Sequence, residues 1–172
     1  MTDIIITPSK GLPLGLLESH SHSKDSKVIS ILEFIENFDM TREIGLLEKS
    51  TELKLPKKYI PTIEREFKRF MSLRILFGPG IYAPTPPIDY IWHELIIDTQ
   101  RYFEFCNTVF GEYLHHCPLS PTQIAEFSGE VLFQTKQRLS EAYGHIVPAI
   151  WGEISAGCDY RACVEGCIGP WK

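Results

Sequence analysis

Hydrophobic positions recur every three or four residues along most of this chain, the spacing that places them on one face of a helix. From Ser26, the residues Val28, Ile31, Leu32, Ile35 and Phe38 form such a stripe. A second, shorter helix is predicted over Thr41 to Glu52, with Ile44, Leu46 and Leu47 inward, until Leu55-Pro56 breaks the pattern. A third begins at Pro61, a favourable first helical position, and carries Ile63, Phe67, Phe70, Met71 and Phe77 to the Gly78-Pro79-Gly80 stop. On its other side Glu64 and Lys68 have the favourable order for an i,i+4 ion pair.

After the stiff stretch IYAPTPPI, Thr85 is placed to cap a fourth helix running from Pro86 to Phe110 and ending at Gly111. Trp92, Tyr102, Phe103 and Phe110 read as core on that helix, and Cys106 as a small core residue. The connector GEYLHHCPL follows. Ser120-Pro121-Thr122-Gln123 is a capping box opening a fifth helix to Tyr143, with Ile124, Phe127, Val131, Leu132 and Leu139 inward and Gly144 as its end. No stretch alternates with a period of two for long enough to be a sustained strand. The expectation is an all-α irregular bundle of about five helices. It is preceded by an N-terminal arm (1–25) and followed by a loop-rich, Cys-containing tail (152–172), with the helical domain over 26–151.

Composition narrows the function classes. The 172 residues are 44% hydrophobic and 23% charged, ordinary for one soluble globular domain. The net charge of −5 argues against a nucleic-acid partner, which requires a concentrated basic surface. No apolar run reaches the length of a membrane span, and the N-terminal stretch, with Asp3 and no positive start, does not read as a signal peptide. A cytoplasmic protein is expected, with free thiols or thiolate ligands rather than disulfides among its five cysteines. There is no G-x-S-x-G, P-loop or dinucleotide fingerprint.

The chemistry concentrates in DYIWHELIIDTQRYFEFC. Asp89 and His93 lie four apart and so share a helical face. They are candidates to ligate one cation, or to act as an Asp–His pair with one imidazole nitrogen free, or to be a structural hydrogen-bonded pair. His93-Glu94 begins like the zinc motif H-E-x-x-H, but Ile97 stands where the second histidine is required. His115 and His116 are further candidates. With the fourth helix unbroken, they would lie roughly 25–30 Å from His93 at 1.5 Å rise per residue, which makes two separate places of them. In the tail, Cys158, Cys163 and Cys167 are candidate ligands for zinc or iron, with reversible thiol oxidation as the competing role. His20-Ser21-His22 reads as a solvated loop. The cofactor expected, if any, is a divalent metal (Zn or Fe). The alternative class is a non-catalytic interaction module meeting a protein or peptide partner.

The stretch PIDYIWHELIIDTQRYFEFCNTVFGEYLHHCP resembles the glycine-rich domain-containing protein-like family, through Asp89, Trp92, His93, Tyr102, Phe105, Cys106, His115 and His116. EAYGHIVPAIWGEISAGCDYRACVEGCIG is similar to the Cys-rich close of its short bacterial members. The resemblance spans about Pro79 to Cys167. It implies a helical domain in which Asp89, His93, His115 and His116 matter together, and it brings no established reaction. Many members have a second histidine where this chain has Leu95.

Overall fold

The third apolar stripe becomes the helix on which the others pack. In the computed structural model, which describes residues 11–50, 56–118, 121–152 and 163–165, it spans Ile60–Phe77 (α3). Ile63, Phe67, Phe70, Met71 and Leu73 on it are almost fully buried. Around it lie α1 (Ser26–Asn37), α2 (Thr41–Lys49), α4 (Pro86–Ile97), α5 (Thr99–Phe110) and α6 (Pro121–Tyr143), all in contact with α3. A final turn of helix, α7 (Pro148–Trp151), follows. The fold is all-α, and the strands among the described residues are two three-residue segments, β1 (His116–Pro118) and β2 (Cys163–Glu165), paired antiparallel.

Local chemistry sets the boundaries. The Asp25 carboxylate accepts from the Lys27 and Val28 amides at 3.0 and 3.3 Å and starts α1. Gly78, Gly111 and Gly144, at φ 82°, 72° and 75°, follow α3, α5 and α6 in a backbone region that other residues rarely adopt. Glu64 and Lys68 pair at 2.7 Å on α3 as their order predicts.

Several expectations change. α2 ends at Lys49, and residues 51–55 lie outside the described part. Its inner face holds Leu47 but also the fully buried Glu43, while Leu46 stays on the surface. Glu43 is accommodated because Arg101 grips both its oxygens at 2.7 and 3.0 Å and Arg42 adds a third contact at 3.2 Å. Thr85 precedes α4, but its buried hydroxyl makes no capping bond; Pro87 lacks one of the two N–H groups that a cap would reach. Phe103 is half exposed rather than core, since its face of α5 meets solvent. Ile124 and Phe127 fall where side chains are not described.

The segment expected as a loose arm lies, over residues 11–25, against the helices. Leu14 and Leu16 are buried, the Leu14 amide donates to Glu36 at 2.9 Å, and Arg69 donates to the Leu14 carbonyl at 2.9 Å. His20, expected in a solvated loop, is buried edge-on against Phe77, with ring centroids 5.4 Å apart. At the other end Trp151 is buried, and its indole N–H donates to Glu66 of α3 at 2.8 Å. No helix among the described residues is long and apolar enough to cross a membrane.

The single long helix expected over Pro86–Phe110 is two helices. The chain leaves helical geometry at Asp98 (φ −82°, ψ 77°), and the Asp98 carboxylate accepts from the Arg101 amide at 3.3 Å, capping α5. An aspartate in mid-pattern is a preferred cap residue. Here it turns the chain, so that α5 packs back against α4 and His116, beyond it, reaches Asp89.

Candidate metal centre

That turn brings together residues far apart in sequence. On α4, Asp89 and His93 share a face, with His93 Nε2 3.8 Å from Asp89 Oδ1. On β1, His116 Nε2 lies 2.8 Å from the same oxygen. One donor atom from each of the three lies within 4.8 Å of the others. The expectation that His93 and the later histidines occupy separate places fails for His116, because the distance estimate assumed an unbroken helix and Asp98 breaks it. The His93 and His116 rings are 4.5 Å apart, centroid to centroid.

His115 is not in the cluster. It is exposed, with its ring 5.0 Å from that of Tyr113. Successive side chains on extended chain take opposite sides, so only one of two adjacent histidines can face α4. Of the tail candidates, Cys158 and Cys167 lie outside the described residues, and Cys163 is placed only by its backbone in β2.

Three buried groups hold the connector in place. The Trp92 indole N–H donates to the Tyr102 hydroxyl at 3.1 Å, and that hydroxyl donates to the Leu114 carbonyl at 2.7 Å. Leu114 is two residues from His116, so α4 and α5 jointly fix the chain that presents it. Burial, aided by the neighbouring Cys106, raises the Tyr102 pKa far above the ordinary phenol value, and the hydroxyl stays a donor. Trp92 also meets the His116 ring edge-on, with centroids 4.1 Å apart. Trp92 and Tyr102, expected as core residues, also position the site; a tyrosine and a tryptophan buried on facing helices need partners for their polar atoms, and that need is the signal the sequence carries.

The environment is graded. The His116 side chain is 6% exposed, Asp89 22% and His93 51%, so the cluster has a closed back and an open mouth. The geometry suits two uses. The 2.8 Å contact is a hydrogen bond when one group carries the proton, and a carboxylate with two imidazoles is also a transition-metal donor set.

The UCP032817-like family model matches residues 31–128, more than half of the chain and all three cluster residues. The chain belongs to the UCP032817-like family. This corrects the resemblance to the glycine-rich domain-containing protein-like family, which nothing in the comparisons supports. The residues that carried that resemblance describe one local unit, a helix pair and its returning connector, and much of the spacing among Trp92, Tyr102, Phe105 and Cys106 is what burial in that unit requires. No curated protein and no solved structure matches the chain.

Proposed function

We propose that this UCP032817-like protein binds a divalent transition metal through Asp89, His93 and His116. The convergence of three donors from α4 and β1 on one spot carries this reading. Metal–nitrogen and metal–oxygen bonds near 2.0–2.1 Å in a tetrahedral set separate the donors by about 3.3 Å. Asp89 sits 2.8 and 3.8 Å from its two histidine partners, so side-chain adjustments of about half an ångström bring those pairs to that spacing. Two imidazoles and a carboxylate suit zinc or iron(II). The half-exposed His93 gives an ion a way in, and Trp92 and Tyr102 hold the buried half of the set in place.

Elemental analysis of the purified chain tests it, with His93→Ala and a Cys158/Cys163/Cys167→Ser variant alongside. Near-stoichiometric metal that disappears in His93→Ala and persists in the cysteine variant supports the reading. Metal that follows the cysteines assigns it to the tail instead.

One observation favours a second reading. His116 is nearly buried and hydrogen-bonded to Asp89, as in a structural clamp that closes the connector onto α4. In that case the chain is a non-catalytic module whose surface meets a protein or peptide partner. Metal-free protein with an unchanged fold, and a large stability loss in Asp89→Asn, distinguish it.

A further inference from the structure

Residues 11–22 cross three helices in the manner of a bound peptide. Leu14 and Leu16 are buried, and the Leu14 amide and carbonyl are taken by Glu36 of α1 and Arg69 of α3. The Leu17 amide donates to the Ala142 carbonyl of α6 at 2.9 Å. Leu14 itself has φ 58°, a left-handed conformation that a bulky side chain seldom adopts and that persists only where surrounding contacts impose it. A cleft of about 400 Å³ opens beside Leu14 and reaches Glu36, Lys68 and Arg69, so solvent has access to the side chains that grip this segment.

The other end of the segment is fastened by His20, which is 7% exposed and edge-on to Phe77 at the end of α3. Its Nδ1 accepts from the His22 backbone N–H at 3.2 Å, so the neutral ring carries its proton on Nε2. A second proton must go to Nδ1, which turns that acceptor into a donor facing another donor. It also sets a cation against Phe77 with little access to water. The surrounding charges do not offset this. On the same segment the His22 ring, 5.7 Å away, disfavours a second charge. On α6, Glu141 favours it, but Glu141 is paired with Arg138 at 3.3 Å, and the Arg138 guanidinium lies 4.6 Å over the Phe77 ring.

We propose that residues 11–22 are a strap that mild acid releases as a unit through His20, uncovering the groove between α1, α3 and α6 while the helices stay folded. The groove's occupant is this segment itself. Release relaxes the Leu14 backbone and takes one partner from Arg69, whose contacts with Glu66 and the Tyr143 ring remain to hold α3 and α6 together. Burial, then His22, keep the docked imidazole pKa below 6.5, whereas the released strap carries an ordinary histidine. Docking is therefore strongest above pH 6.5 and weakens as the pH falls below it, until the docked imidazole is protonated too.

Native-state amide exchange of the full chain, corrected for intrinsic rates and followed from about pH 7.5 down to about pH 5.5, tests this. The Leu17 amide reports the strap, and the Leu32 and Phe70 amides report the helices. Leu17 is expected to be less protected than Leu32 and Phe70 throughout, and its protection to fall by up to about tenfold per pH unit below pH 6.5, the steepest slope one proton gives. His20→Gln, whose side-chain oxygen replaces Nδ1 as an acceptor, is expected to keep Leu17 protection level across the range, and His22→Gln to retain the fall. In the natural chain the His20 imidazole signals are expected to titrate together with Leu17 protection, which keeps the test decisive if a variant does not fold. Exchange of Leu17 only in step with Leu32 and Phe70 means that no separate strap exists and overturns the proposal. A fall as steep in His20→Gln as in the natural chain, or Leu17 protection that does not follow the His20 titration, overturns it as well.

Discussion

The hydroxyl of Tyr102 donates to the carbonyl of Leu114 across 2.7 Å, inside the protein and twelve residues along the chain. This bond, with the Trp92 indole behind it, ties the connector after α5 to the helix pair and sets where His116 begins. Tyr102→Phe removes the bond to Leu114 and leaves a buried carbonyl and a buried indole N–H without this partner. Chemical denaturation is expected to show a loss of about 1–3 kcal/mol. Metal affinity is expected to fall with it, because His116 is no longer held.

Asp98 makes the turn between α4 and α5. Asp98→Ala removes the cap on the Arg101 amide, and caps of this kind are worth about 0.5–2 kcal/mol. A change confined to stability is not the whole expectation. The His93 and His116 imidazole signals in NMR spectra are expected to broaden or shift as the connector loosens, while those of His20 stay in place.

Glu43 is fully buried and held by Arg101 and Arg42. Breaking a buried ion pair by removing one partner generally costs ~3–5 kcal/mol. Arg101→Met is expected to cost less, about 2–3 kcal/mol, because Arg42 remains and Arg101 is partly exposed. The double variant Glu43→Met/Arg101→Met is expected to recover much of that loss in urea unfolding, since no buried charge is then left alone.

His20 makes folding sensitive to acid. Burial, then the nearby His22, hold its pKa below the ordinary 6.5, against a weaker opposing pull from Glu141. The unfolded chain therefore binds a proton at a pH where the folded chain resists it. The His20 contribution is fully present above pH 6.5 and declines as the pH falls below it, until the folded-state imidazole is protonated too. Melting temperatures taken from about pH 7.5 down to about pH 5.5 are expected to drop less in His20→Gln than in the natural chain.

The helices were legible because burial along α1, α3 and α6 repeats with the helical period, as at Leu32 and Ile35, or Ile63, Phe67 and Phe70. The candidate site was half legible. Asp89 and His93 are neighbours on one helix and need only a period to be paired. His116 joins them through a long-range return, which depends on one aspartate ending a helix inside an unbroken apolar pattern. Periodicity is nearly blind to that event, because both halves keep the same repeat across the turn. Glu43 was missed for a related reason: its burial depends on Arg101, 58 positions away. The pairing of β1 with β2 spans two three-residue segments, too short to leave any alternation in the sequence.

Calorimetric titration of zinc into the metal-stripped chain, with the three tail cysteines changed to serine, tests the central claim most directly when Asp89→Asn, His93→Ala and His116→Gln are run beside it. One equivalent bound by the parent, with affinity lost in all three variants, is the predicted result. Equal binding by the parent and the three variants, or no binding by the parent, contradicts it.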